Sequence, residues 1–189
     1  MKDLKYFIAF IAPLSALYGV IYGGFWSPSA FYVAFVLIPL IELLLPGTGS
    51  VENPYTEVEE SRSKQLFFDI LLYANLPLLY SIIVVFLYRI TMADTSTAEL
   101  VGMTLSAGIA CGAIGINVAH ELGHRETWYE QLMAKTLLLS SLYMHFFIEH
   151  NRGHHKNVAT DADPASARLN EPLYAFWLRS VREDRKSVV

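Results

Sequence analysis

The sequence contains very little cysteine and little charge. Its single cysteine, Cys111, lies inside an apolar run, which excludes a disulfide framework and a C-x-x-C metal pair. Charged residues make up 17% of the chain, whereas soluble domains contain about 25%. No charged residue occurs at positions 6–41 or 100–119, and no basic stripe indicates nucleic acid as a partner. Uncharged runs of this length predict an integral membrane protein.

Four apolar segments predict membrane-spanning helices, because a hydrocarbon core about 30 Å thick needs about 20 helical residues. Their approximate bounds are residues 6–24, 30–45, 70–88 and 100–119. A shorter apolar stretch, residues 136–148, predicts an interfacial or re-entrant helix. In the fourth segment, Gly108 and Gly112 form a small-residue face that predicts close helix packing. The predicted fold is an all-α integral membrane protein with a single domain over residues 1–189.

The distribution of lysine and arginine indicates an orientation. With the amino terminus in the cytoplasm, every basic residue except Arg89 faces the cytoplasm, as the positive-inside rule expects. The loop at residues 46–65 and the chain from residue 120 onward then lie inside. The sequence therefore predicts a multi-pass protein of the plasma (inner) membrane.

Histidine is absent from most of the chain, and all six histidines lie between His120 and His155. In the run N-V-A-H-E-L-G-H-R, His120 and His124 stand four apart, so on an α-helix both imidazoles can bind one ion. In the run E-H-N-R-G-H-H-K, His150 and His154 repeat this spacing. His155 is expected to point to an adjacent sector of the helix circumference, where its imidazole can bind a second ion. The two runs predict a metal centre at the cytoplasmic end of the helices.

Three neighbouring residues are expected to support the ligands. Glu121 and Glu149 are predicted to accept hydrogen bonds from imidazole N–H groups, and His145 is predicted to orient Glu149 or a ligand histidine. H-E-L-G-H also matches the zinc-protease pattern H-E-x-x-H, in which the glutamate activates water. A catalytic zinc ion needs only three protein ligands, and this chain offers more. A histidine-rich site without thiolates and with room for two ions favours iron.

These runs resemble the histidine boxes of the membrane alkane 1-monooxygenases (alkane hydroxylases), part of a larger group of membrane di-iron enzymes that includes fatty-acid desaturases and hydroxylases. H-E-L-G-H-R is similar to the first box. E-H-N-R-G-H-H-K-N-V-A-T-D-A-D-P-A-S-A-R is similar to the second box and the segment after it. Desaturases usually have H-x-x-H-H there, one residue shorter. The resemblance implies a set of iron ligands: His120, His124, His150, His154 and His155.

The resemblance implies a reaction as well. One atom of O2 would enter the terminal C–H bond of an n-alkane or a related hydrocarbon chain, giving a primary alcohol in lipid metabolism. The cofactor would be two iron ions, with electrons from rubredoxin and its flavoprotein reductase. The chain resembles the amino-terminal part of such an enzyme, so the domain is expected to be incomplete at its carboxyl terminus. The 189 residues alone are expected to insert into a membrane but not to hydroxylate alkanes. The alternatives are a membrane zinc metalloprotease with Glu121 as general base, and an inactive metal-binding membrane fragment.

Overall fold

The computed structural model describes residues 2–45 and 66–184, and these residues form helices and turns without any strand. The predicted all-helical fold is confirmed for this part of the chain, while the predicted loop at residues 46–65 lies outside it. The contacts divide the chain into two compact units, Met1–Val118 and Ala119–Val189. We describe each unit by itself, and the single domain stays a prediction.

The described part of the first unit contains four α-helices, and the last of them continues beyond the unit. A 3-10 helix, Lys2–Phe10, leads into the first α-helix. The helices are α1 (Ile11–Tyr22), α2 (Ser29–Leu44), α3 (Leu66–Ile90) and α4 (Thr97–Gly123). Among the described residues, α3 and α4 are long and apolar enough to cross a membrane, and they cover the third and fourth predicted spans. The stretches Tyr6–Tyr22 and Ser29–Leu44 are apolar but shorter, so the first two spans stay predictions.

Helix α4 begins at a capping box. The Ser96 hydroxyl accepts a hydrogen bond from the Glu99 N–H at 3.3 Å, and the Glu99 carboxylate accepts one from the Ser96 N–H at 3.0 Å. The same carboxylate accepts the Gly24 N–H at 2.7 Å. Arg89, in the last turn of α3, donates to the Ile21 carbonyl oxygen at 2.5 Å. The end of α1 is thus hydrogen-bonded to α3, and the turn that follows α1 is hydrogen-bonded to α4.

Close approach in the first unit depends on other glycines than those predicted. A Cβ atom on Gly102 would lie 2.2 Å from the Ser27 hydroxyl oxygen, and one on Gly19 would lie 2.4 Å from the Ser29 hydroxyl oxygen. No described atom lies within 4 Å of a Cβ atom placed on Gly108 or Gly112. The predicted close approach is therefore not found at Gly108 and Gly112 among the described residues, whereas Gly115, which belongs to the same predicted face, is buried. Helix spacing alone does not tell which face of α4 meets a neighbour.

The second unit contains the end of α4 and three further helices. They are α5 (Trp128–Leu139), α6 (residues 146–157) and α7 (Leu173–Asp184). Helix α6 has a π-helical middle, Glu149–His154, between two short α-helical turns. A π-helix closes i→i+5 hydrogen bonds and is often found at functional sites.

The predicted helix at residues 136–148 is interrupted. Helix α5 ends in a Schellman motif, in which the Tyr143 N–H donates to the Leu138 carbonyl oxygen and the Leu142 N–H donates to the Leu139 carbonyl oxygen, both at 3.0 Å. Leu142 has the positive φ of 54° that this motif requires. The prediction of one helix was wrong because apolar composition does not reveal a left-handed residue that stops a helix.

Candidate metal centre

Four imidazoles converge in the second unit. His120 and His124 come from the end of α4, and His150 and His155 come from α6. One ring nitrogen of each lies within 4.8 Å of the others. The His124 Nε2 atom lies 3.1 Å from that of His120 and 3.2 Å from that of His150, and the Nε2 atoms of His150 and His155 are 3.0 Å apart. We call these residues the four-histidine cluster.

The donor set of the cluster suits a metal ion. Metal–imidazole bonds of about 2.0–2.1 Å place neighbouring ligand nitrogens roughly 3 Å apart, close to the separations in the cluster. Imidazole is a ligand for iron, zinc and copper. The cluster therefore brings together nitrogens that can hold one such ion, while the ligand roles of the individual histidines stay predictions.

The π-helical turn decides which histidine of α6 joins the cluster. The four-residue spacing predicts that His150 and His154 form a pair, because residues four apart share a face of an α-helix. In the Glu149–His154 π-helix, each turn contains more residues. His155, five residues after His150, therefore contributes the nitrogen next to His150. The expectation that His155 points to an adjacent sector was wrong, since it assumed α-helical periodicity.

His154 lies beside the cluster and faces an aspartate. Its ring centroid is 5.4 Å from that of His150 and 5.7 Å from that of His155. Its Nδ1 atom lies 2.8 Å from the Oδ2 atom of Asp163. Asp163 was not singled out in the sequence analysis. It lies nine residues further on in a loop, where no helical spacing relates it to His154, although it belongs to the run that resembles the second histidine box.

Asp163 is a buried carboxylate with several hydrogen-bond donors. Burial raises the pKa of its carboxyl group, but hydrogen bonds from the Ser166 hydroxyl, the Ala165 N–H and His154 outweigh this effect and lower the pKa overall. Asp163 is therefore ionised at neutral pH.

Two imidazoles of the cluster, those of His124 and His150, have lowered pKa values. Burial, followed by the charges of His120 and His155, lowers the pKa of His124. Burial, followed by the charges of the neighbouring histidines, lowers the pKa of His150 to about 4. An uncharged imidazole has a lone pair available for a metal ion, whereas an imidazolium has none.

The three residues predicted to support the ligands are differently placed. The Oε1 atom of Glu121 lies 3.1 Å from the Nη2 atom of Arg125, and the side chain is 52% exposed. The ring of His145 stands edge-on to Tyr143, with 4.5 Å between the centroids. Glu149 is buried. Its Oε2 atom would be 3.0 Å from a Cβ atom on Gly153. Their supporting roles stay predictions.

A cleft of about 550 Å³ opens beside His124. Its lining includes three basic side chains and one acidic side chain, Arg125, Lys135, Arg152 and Glu126. The Lys135 ammonium lies over the Phe147 ring, 4.6 Å from the centroid. The cleft is thus positively charged overall, which favours an acidic group next to the four-histidine cluster.

Comparison with known proteins links this arrangement to a group of oxygenases. The sequence pattern of the family described as "Fatty acid desaturase" matches residues 96–186, which include all six histidines. Alkane 1-monooxygenase 1 of Alcanivorax borkumensis is 34% identical over 171 residues, which are 89% of this chain and 42% of the relative. An alkane 1-monooxygenase of Pseudomonas putida is 37% identical over 145 residues, 77% of this chain and 35% of the relative.

A relative with a different substrate in its name is less similar. The hydroxylase component of a xylene/toluene monooxygenase of Pseudomonas putida is 25% identical over 179 residues, 93% of this chain and 46% of the relative. The chain spans less than half the length of each of these three relatives.

Proposed function

Because the chain belongs to the alkane 1-monooxygenase family within the fatty acid desaturase superfamily, we propose that it acts in a membrane di-iron monooxygenase. The reaction is the hydroxylation of a terminal hydrocarbon carbon to a primary alcohol with O2. The observation that carries this proposal is the convergence of four histidine nitrogens in the segment that matches the family. The cofactor is two iron ions, as the resemblance to the family implies.

The histidines of this chain would hold iron through their ring nitrogens. His120, His124, His150 and His155 offer four lone pairs in one place. Bound iron would supply the activation of dioxygen and the acceptance of electrons. The low pKa of His150 keeps its ring unprotonated at neutral pH, so no proton has to leave it before the metal binds.

The substrate is proposed to be an n-alkane rather than an alkylbenzene. The alkane 1-monooxygenases named above are 34% and 37% identical to this chain, against 25% for the xylene/toluene enzyme component. An alkane has no polar group to hydrogen-bond, so apolar contacts alone must select its length and its terminal carbon. A membrane location supplies such a substrate directly, because alkanes partition into the hydrocarbon core.

The membrane location is supported by the surface of α3. Only 11% of its most apolar stretch is buried, compared with 39% for α4. The core helix of a soluble protein would be mostly buried, so the surface of α3 requires apolar surroundings. We propose four spans, with Tyr6–Tyr22 and Ser29–Leu44 as the first two. The positive-inside rule then orients the histidine runs towards the cytoplasm, with residues 136–148 at the membrane interface.

Single-cysteine labelling tests this topology. In a Cys111→Ala background, a membrane-impermeant maleimide should label Asp94→Cys in intact cells. Lys156→Cys should be labelled only after the cells are permeabilised; both positions are exposed. Labelling of Lys156→Cys in intact cells would contradict the orientation.

Iron content and product formation test the function. The purified chain should bind iron, and a variant with alanine at all four cluster positions should lose it. Membranes of cells that express the gene encoding this sequence, supplied with rubredoxin and its reductase, should convert n-octane to 1-octanol faster than p-xylene to 4-methylbenzyl alcohol. Equal iron content in the wild type and the fourfold variant would refute the metal centre. Peptide cleavage that requires zinc and Glu121 would support the protease alternative instead.

Electron delivery is proposed to occur over the cleft beside His124. Rubredoxin is the proposed donor, with its flavoprotein reductase upstream. The positive charge of the cleft predicts an acidic docking face on the donor, and such charges act mainly on the rate of association. Arg152→Glu should raise the KM for rubredoxin and weaken its salt dependence without changing iron content. An unchanged KM would exclude the cleft as the docking surface.

A further inference from the structure

A compact loop between α6 and α7, residues 158–172, surrounds one buried carboxylate. Asp163 is 1% exposed. It accepts hydrogen bonds from the Ser166 hydroxyl at 2.5 Å and from the Ala165 N–H at 3.0 Å. Its Oδ2 atom also lies 2.8 Å from the Nδ1 atom of His154. A buried carboxylate is tolerated only where donors surround it, so the loop is organised around this group.

The direction of the contact between Asp163 and His154 follows from the chemistry of a carboxylate. Both oxygens of Asp163 already accept hydrogen bonds, Oδ1 from the Ala165 N–H and Oδ2 from the Ser166 hydroxyl, so in the contact with His154 the Nδ1 atom carries the hydrogen. In a neutral imidazole with its hydrogen on Nδ1, the lone pair lies on Nε2. His154 therefore offers Nε2 as its ligand atom, beside the four-histidine cluster.

We propose that Asp163 is a positioning residue that makes His154 an additional metal ligand, by accepting the Nδ1 hydrogen and keeping the Nε2 lone pair available. This inference rests on the proposed metal centre. A carboxylate behind a ligating imidazole fixes both the orientation of the ring and its tautomer. Helix α6 then contributes His154 as well as His150 and His155.

Helix α7 holds the loop in position. Arg179 donates to the Ser166 carbonyl oxygen at 2.9 Å and forms an ion pair with Glu171, with 2.7 Å between Nε and Oε1. The Ser166 hydroxyl, which donates to Asp163, accepts the Ala159 N–H at 3.0 Å. Ala159, near the start of the loop, is thus bonded directly to Ser166. Glu171, near its end, is linked to Ser166 through Arg179.

The tautomer of His154 can be measured directly in the complete chain. Long-range 1H–15N NMR correlation of histidine-labelled, metal-free protein should place the His154 hydrogen on Nδ1, with the signal identified by its loss in His154→Ala. In Asp163→Ala, the hydrogen should move partly or wholly to Nε2. Asp161→Ala, an exposed aspartate of the same loop, is the matched control and should leave the tautomer unchanged.

Fe2+ affinity separates positioning from general support of the fold. Asp163→Ala should weaken Fe2+ binding by about 10–100-fold, and Asp161→Ala should not change it. In a His154→Ala background, Asp163→Ala should have almost no further effect, because the residue through which Asp163 acts is absent. Asp163→Asn retains an oxygen acceptor in the same shape and should recover most of the affinity.

Several results would overturn the inference. These are an Nε2–H tautomer in the wild type, an unchanged affinity in Asp163→Ala, or an equal loss of affinity with and without His154. If Asp163→Ala does not fold, the tautomer in the wild type and in Asp163→Asn still decides the question. Absence of Fe2+ binding in the wild type would refute the proposed metal centre, whereas the tautomer measurement tests Asp163 independently of any metal.

Discussion

The two units of the chain bury different kinds of side chain. In the described part of Met1–Val118, the buried side chains are apolar or carry hydroxyl groups, and many large apolar side chains are exposed. Buried alanines there are Ala16, Ala30, Ala107 and Ala110, and exposed large residues include Phe35, Leu43, Val84 and Leu87. In Ala119–Val189, three carboxylates are buried, Glu130, Glu149 and Asp163. The described part of the first unit buries no ionisable side chain, whereas the second unit buries three carboxyl groups.

The two units are therefore stabilised in different ways, the first by close packing of helices and the second by hydrogen bonds to buried carboxyl groups. Close approach of helices depends on shape, because a Cβ atom in the wrong place displaces a whole helix. Buried carboxylates depend on their partners, since each must be hydrogen-bonded to remain buried. We therefore expect the first unit to be sensitive to added volume, and the second unit to be sensitive to the loss of individual polar groups.

The largest effect is expected at the centre of the four-histidine cluster. The Nε2 atom of His150 lies 3.2 Å from that of His124 and 3.0 Å from that of His155. His150→Ala removes this central nitrogen and should lower Fe2+ affinity by more than about 100-fold, beyond the range for indirect contacts. His145→Ala is the control and should change affinity by at most about 10–100-fold. Isothermal titration of the purified chain measures both, and retention of wild-type affinity in His150→Ala would remove this residue from the site.

A smaller but clear effect is expected from one added methyl group in the first unit. Gly102→Ala places a Cβ atom 2.2 Å from the Ser27 hydroxyl oxygen and 2.9 Å from Pro28 Cδ. Such overpacking should lower the free energy of unfolding by about 1–3 kcal/mol. Gly108→Ala meets no described atom and should stabilise α4 by about 0.5–1 kcal/mol. Thermal unfolding in detergent compares the two variants, and equal midpoints would show that shape does not control the first unit.

The corresponding substitution in the second unit acts on a polar partner. In Gly153→Ala, the new Cβ atom would lie 3.0 Å from the Oε2 atom of buried Glu149. The carboxylate must shift within the π-helical turn that carries His150, so we expect a several-fold loss of Fe2+ affinity with little change in thermal stability. If Gly153→Ala lowered the thermal stability as much as Gly102→Ala, the expectation that added volume affects mainly the first unit would be wrong.

The smallest effect concerns the ion pair that holds the 158–172 loop. Hydrogen bonds from Arg179 and from the Arg168 N–H lower the pKa of Glu171 to about 2, from an ordinary value of 4.5. Because the folded-state pKa is the lower one, the stabilising contribution is complete above pH 4.5 and is lost as the pH falls towards 2. Glu171→Gln should therefore lower the unfolding midpoint slightly and constantly between pH 5 and 8.

The same variant has a defined behaviour in acid. The difference between wild type and Glu171→Gln should shrink below about pH 4.5 and vanish near pH 2, because the wild-type carboxylate is then protonated. Circular dichroism melts at several pH values measure this difference. A difference that grows in acid would mean that Glu171 does not act through its charge.

The helices and the histidine runs were predictable because they depend on local composition. The apolar stretches over α3 and α4 predict helices of the length found. His120 lies in the last α-helical turn of α4 and His124 directly follows that helix, and their rings meet as the four-residue spacing predicts. Where helical periodicity is regular, local sequence is enough to place side chains together.

The contacts of His155 and Asp163 were decided by the tertiary structure, because helical periodicity in the sequence does not predict them. The π-helical turn of α6 puts His155 beside His150, and an i→i+5 turn depends on how the helix packs rather than on residue spacing. Asp163 reaches His154 from a loop, so only the path of the chain brings them together. Composition determined that this protein has apolar helices and a histidine-rich segment. Which nitrogens face one another depends on helix pitch and loop path, which arise only when the chain is folded.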